Sequence, residues 1–136
     1  MVDPSAAADA GDIVATLKSF IIEHSLPLWS GEGWDRTGGG FVDRLDEHGR
    51  ADRLAPRRTF VQARQIYCFA KAAQMGWYPE GKEIALKGLD HLLSKPRAPD
   101  GQPGFVHRIG SEGDILDPRR DTYDHAFVLL ALATVS

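Results

Sequence analysis

The feature that most constrains this chain is an internal repeat. Gly40-Phe41-Val42-Asp43-Arg44-Leu45, with Gly49 four residues on, returns as Gly104-Phe105-Val106-His107-Arg108-Ile109, with Gly113 at the same offset. Downstream, Arg57-Arg58-Thr59-Phe60 and Ala63 return as Arg119-Arg120, an inserted Asp121, Thr122-Tyr123 and Ala126. The shift is 64 residues over the hairpin, 62 at the arginine pair and 63 after the inserted Asp121. Each unit reads as an outer amphipathic helix, a glycine-rich hairpin loop and an inner apolar helix, with boundaries at about 12–77 and 78–136.

The helices differ in kind. Ile13, Leu17, Phe20, Ile21, His24 and Leu28 recur at helical spacing, opposite Lys18 and Glu23, with Asp9 or Asp12 as the cap and Pro27 as the break. From Pro79 to about Ser94, Ile84, Leu86, Leu89, Leu92 and Leu93 oppose Lys82, Glu83, Lys87 and Asp90, giving a second outer helix. Arg58 to Met75 and the segment from Thr122 carry apolar residues nearly all round, and such helices are buried on all sides. Two units cannot bury both flanks of such inner helices, and stacking further units is the usual solution. We therefore expect a longer polypeptide, or a second copy, to cover them. A self-sufficient four-helix bundle would show amphipathic stripes on all four helices.

Composition closes other routes. With 16 basic against 19 acidic residues among 136, there is no broad cationic field for a nucleic-acid backbone. No apolar run reaches the roughly 20 residues that span a bilayer. The single cysteine, Cys68, forms no internal disulfide, and MVDPSAAADAGD lacks the basic start of a secretory leader, so a cytoplasmic location is expected. No Cys/His set has metal-ligand spacing, so no metal is expected, and the triple glycine Gly38-Gly39-Gly40 lacks the GK[ST] ending of a phosphate-binding loop.

The segments GGGFVDRLDEHG, RRTFVQARQIYCFAKAAQMG, PGFVHRI and DTYDHAFVLLAL, in this order, resemble the N-terminal part of the N-acylglucosamine 2-epimerase superfamily, on its mannose isomerase and mannose-6-phosphate-isomerase-like branch. The resemblance implies an all-α fold, the first two helix-hairpin-helix repeats of an (α/α)6 toroid, about four helices with short β-hairpins. Six units of this size make about 380 residues, so the present chain is roughly a third of such a ring. The implied activity is aldose–ketose isomerisation, such as mannose to fructose, or 2-epimerisation, by C2 proton transfer through an enediolate. No cofactor is implied. The partner is a monosaccharide, with or without phosphate.

Arg64 is the leading candidate for a catalytic residue, because a guanidinium among Phe60, Ala63, Tyr67 and Cys68 is costly without a polar partner. A buried ion pair is the alternative on the residues alone. The resemblance implies that Arg64 stabilises the enediolate oxygens. It also assigns Tyr123, Phe127 and His125 to substrate contact, although a core tyrosine, a packing phenylalanine and a helix-contact histidine are the plainer readings. Asp124 and His125 are adjacent and point about 100° apart, which argues against a dyad. His107, matched by Asp43 in the first unit, reads as a solvated position, and Cys68 as a small buried hydrophobe. Trp29, Trp34 and Phe41 around the triple glycine suit either sugar stacking or loop packing.

The family's general base and acid lie on later inner helices, so the 136 residues alone are expected to be catalytically silent. A glycosidase, which would need two carboxylates such as Asp43, Asp46 or Asp124, and a non-catalytic helical interaction module are the competing readings.

Overall fold

A computed structural model describes residues 4–136, with side chains from residue 9. Met1 to Asp3, part of the segment read for a leader, lie outside the described residues. Five α-helices follow in order: α1 (Pro4–Phe20), α2 (Leu26–Gly31), α3 (Thr59–Gln74), α4 (Gly81–Ser94) and α5 (Thr122–Val135). Three short strands, β1 (Arg57–Arg58), β2 (Arg108–Ile109) and β3 (Ile115–Asp117), complete the architecture.

The first helix departs from the sequence reading at both ends. It begins at Pro4, so Asp9 and Asp12 lie within it rather than capping it. Pro27 does not end it either. A π-helical turn, Ile21–Ser25, joins α1 to α2 with helical backbone throughout, and Pro27 sits in the opening turn of α2. The apolar stripe of α1 is open: Ile13 is 59% and Leu17 56% exposed, with Val14 and Phe20 alongside.

The core forms around α3, which packs against both α4 and α5. Ile66 and Phe69 are fully buried there, and Phe69 stacks on Phe41 at 5.6 Å between ring centroids. The close approach of α4 depends on Gly88, where a Cβ would fall 2.8 Å from the Phe41 ring and 3.0 Å from Ile66. One flank of α3 stays open, however, and Arg64, Cys68 and Gln74 are exposed. Cys68 is thus a surface residue rather than the buried hydrophobe expected from its apolar neighbours. Burial on all sides requires a helix against that flank as well, and none of the described residues supplies it.

The hairpins are mostly loop held by single bridges, Trp34 to Phe41, Leu45 to Ala51 and Arg97 to Phe105. Regular ladder pairing joins the two units through β1 and β2 and continues to β3 within the second hairpin. β1 pairs antiparallel with β2, Arg57 opposite Ile109 and Arg58 opposite Arg108, and β2 pairs with β3. Thr59 extends the seam, its N–H donating to the His107 carbonyl and its hydroxyl to the Val106 carbonyl. The ladder fixes the relative height of α3 and α5, and so of the side chains each presents.

Candidate functional site

Arg64, Tyr123 and Phe127 meet. Arg64 Nη2 donates a hydrogen bond to the Tyr123 hydroxyl, and its Cζ lies 4.2 Å from the Phe127 ring centroid, 5.0 Å from Phe60 and 5.4 Å from Tyr123. The rings brace one another, Phe60 edge-on to Tyr123 at 5.3 Å and Tyr123 edge-on to Phe127 at 4.9 Å. A guanidinium bounded by three ring systems loses freedom while keeping its charge, and cation–π attraction adds to its orientation. Arg64 and Tyr123 remain exposed, so the fork and the hydroxyl face an open surface.

The repeat explains why these four residues converge. Phe60 aligns with Tyr123 and Arg64 with Phe127 at the 63-residue offset. Equivalent positions on neighbouring inner helices point toward the same space, so two pairs of repeat equivalents form one cluster.

His125 stands apart from it. Its Nδ1 lies 2.7 Å from the Asp121 carbonyl oxygen and its Nε2 accepts the Phe105 N–H at 3.1 Å. Both ring nitrogens are thus occupied by backbone groups. The same offset aligns His125 with Gln62, a residue the sequence reading passed over. Gln62 is buried and clamps Phe41, accepting its N–H at 2.9 Å and donating to its carbonyl at 2.6 Å. Phe41 and Phe105 are themselves repeat equivalents, so Gln62 and His125 perform one task, tying each hairpin to its inner helix.

His107 is not the solvated position that its match with Asp43 suggested. Its Nδ1 lies 2.7 Å from Asp124 Oδ2, and Asp124 is fully buried. Asp124 Oδ1 accepts the Phe60 N–H at 3.0 Å, which serves the N-terminus of α3, a helix with no side-chain cap of its own. The helix α5 is capped by its own Asp121, which accepts the Tyr123 N–H. His107, Asp121 and Asp124 bring their ligand atoms within 4.8 Å of one another, but these hydrogen bonds already account for the cluster.

The triple glycine serves packing. Asp35, at its start, pairs with buried Arg57 at 3.0 Å. Burial alone would raise the Asp35 pKa, but the Gly38 and Thr37 backbone N–H groups and the Arg57 charge hold it below the usual carboxylate range. Gly40 (φ +78°) leaves room for His91, since a Cβ there would fall 2.6 Å from Nδ1. Trp34 packs edge-on against Phe41 at 5.0 Å, and both Trp34 and Trp29 lie against the core.

Comparison with known proteins identifies the family and the fold. The sequence profile of the N-acylglucosamine 2-epimerase (GlcNAc 2-epimerase) family matches residues 39–136. A mannose-6-phosphate isomerase of Rhizobium meliloti (strain 1021) is 38% identical over 117 residues, covering 86% of this chain and 30% of that protein. The cellobiose 2-epimerase of Spirochaeta thermophila DSM 6192 superposes with a TM-score of 0.86 at 24% identity, over 98% of this chain and 32% of that one. A D-mannose isomerase superposes with a TM-score of 0.75 at 26% identity, over 88% of this chain and 30% of its own. The chain spans about a third of the length of these relatives.

Proposed function

Because this chain belongs to the N-acylglucosamine 2-epimerase family and its helices superpose on about a third of (α/α)6 toroid relatives, we propose that it supplies one wall of the pocket of a sugar isomerase or 2-epimerase. The reaction is proton transfer at C2 of a monosaccharide through an enediolate, without a cofactor. Arg64 binds the oxygens at C1 and C2. Removing a proton beside a carbonyl places negative charge on those oxygens, and a fixed guanidinium lowers the energy of that charge more than that of the neutral sugar. Tyr123 positions the Arg64 fork and offers its hydroxyl to the sugar, while Phe127 and Phe60 form an apolar floor. His125 contributes from behind, by holding the hairpin loop that borders the site.

The observation that carries this reading is the Arg64 to Tyr123 hydrogen bond within the Phe60–Tyr123–Phe127 cluster. A glycosidase finds less support. Asp43 is paired with Arg58, Asp46 with Arg50, and Asp124 with His107, so none of the three is free to act across a scissile bond. Further helical units, from the same polypeptide or a second copy, cover the open flanks of α1 and α5 in the working enzyme. None of the described helices is long and apolar enough to cross a membrane, and we place the protein in the cytoplasm.

A chimera in which this chain replaces the matching third of the Rhizobium meliloti relative tests the reading. It should isomerise the sugar that the relative itself turns over, and Arg64→Gln should lower kcat about a hundredfold or more with a smaller change in KM. The 136 residues alone should show no turnover. Retention of full kcat by the Arg64→Gln chimera would overturn the assignment.

A further inference from the structure

The second hairpin departs from the first at one position beside the Arg64 site. Asp43 and His107 are repeat equivalents, but their settings differ. Asp43 is engaged by Arg58, accepting its backbone N–H at 3.0 Å and its Nε at 2.8 Å. His107 instead has a carboxylate behind it. Its Nδ1 lies 2.7 Å from Oδ2 of the fully buried Asp124, whereas the 63-residue offset puts Val61 at the corresponding place on α3. A carboxylate only accepts, so Nδ1 carries the proton of that bond, and in the uncharged ring Nε2 is then an acceptor. Among the described residues Nε2 has no hydrogen-bond partner, and 13% of the side chain remains exposed. The backbone is fixed on both sides, the His107 N–H donating to the Arg119 carbonyl and its carbonyl accepting the Thr59 N–H, each at 3.0 Å. Burying a carboxylate is costly. Bonding the N-terminus of α3 uses only Oδ1, through the Phe60 N–H, and the second oxygen orients this one imidazole.

The imidazole stands at the edge of the sugar site. Its centroid is 6.3 Å from that of Phe60, and Arg64 Cζ is 5.0 Å from the same ring, so imidazole and guanidinium are at most about 11 Å apart. A hexose ring spans roughly 5–6 Å from the oxygen on C1 to the oxygen on C4, at ordinary bond lengths. A hydrogen bond adds about 3 Å at each end. A sugar held by Arg64 at its C1 and C2 oxygens, with its C–H groups on the Phe60 ring, therefore brings its C4 hydroxyl within reach of His107. We propose that His107 Nε2 accepts a hydrogen bond from the C4 hydroxyl and makes a free hydroxyl at that carbon a requirement of the site. The proposal rests on the sugar-site reading and names the part of the sugar that this chain selects.

The test crosses variants with substrates in a chimera that carries this chain in place of the matching third of the D-mannose isomerase. Its kcat/KM for 4-deoxy-D-mannose should lie about tenfold below that for D-mannose, as expected for the loss of one hydrogen bond. His107→Asn keeps an N–H for Asp124 and removes the Nε2 acceptor. It should lower kcat/KM for D-mannose about tenfold, mainly through KM, and leave 4-deoxy-D-mannose nearly unchanged. A loss of the same size for both sugars would reduce His107 to a structural partner of Asp124 and overturn the proposal, as would undiminished kcat/KM for D-mannose. A second variant guards against a loss of folding: His107→Gln, whose amide reaches the Nε2 position, should restore part of the preference for D-mannose whatever it does to the thermal midpoint. No restoration would make ring shape rather than an acceptor the selecting feature, and would also overturn the proposal. Failure of the sugar-site reading looks different: Arg64→Gln then keeps full kcat for D-mannose in the same chimera, whatever the two His107 variants do.

Discussion

The two inner helices stand at the same place in the repeat yet differ in how far they are buried. Along α3, Gln62, Ala63, Ile66, Phe69, Ala70 and Ala72 are buried, whereas along α5 only Asp124, Val128 and Ala131 are, and Leu129 remains 67% exposed. Composition does not explain this, since α5 is the more apolar of the two. The difference is positional: α3 is followed by α4 and α5, while nothing among the described residues packs on the far flank of α5. An inner helix owes its burial to the unit that follows it, as expected of an array in which each repeat covers its neighbour.

Paired truncations should separate these environments most widely. Ile66→Ala, at a fully buried position, should cost about 3 kcal/mol of unfolding free energy by urea titration, whereas Leu129→Ala should cost less than about 0.5 kcal/mol. Comparable losses at the two positions would mean that α5 is covered in solution by a second copy, and the Leu129→Ala loss would then depend on protein concentration.

The sequence made the larger features legible for identifiable reasons. Helices apolar all round, spaced by a 63-residue shift, already require stacked units. The family resemblance singles out Arg64 and pairs it with Tyr123 and Phe127, whereas the desolvation cost expected from its apolar neighbours does not arise, because Arg64 is exposed. Other features had no local signal. The β1–β2 ladder joins two-residue strands about 50 positions apart, too short for any alternation to register. The π-helical turn that carries the chain past Pro27 leaves no periodicity of its own. The bond between His107 and Asp124 links a hairpin to a helix, and adjacency in sequence directed attention to His125 instead. One signal was present and unread: the same offset that aligns Phe60 with Tyr123 also aligns Gln62 with His125.

That pairing gives a sharper test of whether the two units share a scaffold. If His125 does the work of Gln62, then His125→Gln should keep an acceptor for the Phe105 N–H and cost under about 1 kcal/mol, while His125→Leu should cost about 1–3 kcal/mol by leaving that N–H unpaired. Equal losses in the two variants would show that the imidazole does something an amide cannot. Sugar affinity lost in His125→Gln at unchanged stability would return His125 to direct substrate contact.

The smallest expected effect compares two histidines packed against equivalent glycines. Gly40 lies over His91 and Gly104 over His125, each so close that a Cβ would fall within 2.7 Å of a ring nitrogen. Yet His125 has both nitrogens bonded, while His91 Nδ1 is buried with no partner. Burial lowers the His91 pKa below its ordinary value of about 6.5, as do the charges of Arg57 and Lys95, against weaker opposing pulls from Asp35 and Asp90. Below pH about 6.5 the unfolded chain therefore takes up a proton that the folded chain resists, so this contribution to stability is complete above that pH and is lost as pH falls through it. The carboxylates with lowered pKa, Asp35 among them, act at more acid pH. The thermal midpoint followed by circular dichroism should decline between pH 7.5 and 5.5, and His91→Gln should flatten that decline. A decline of unchanged slope in His91→Gln would place the titrating group elsewhere and remove the contrast between the two histidines.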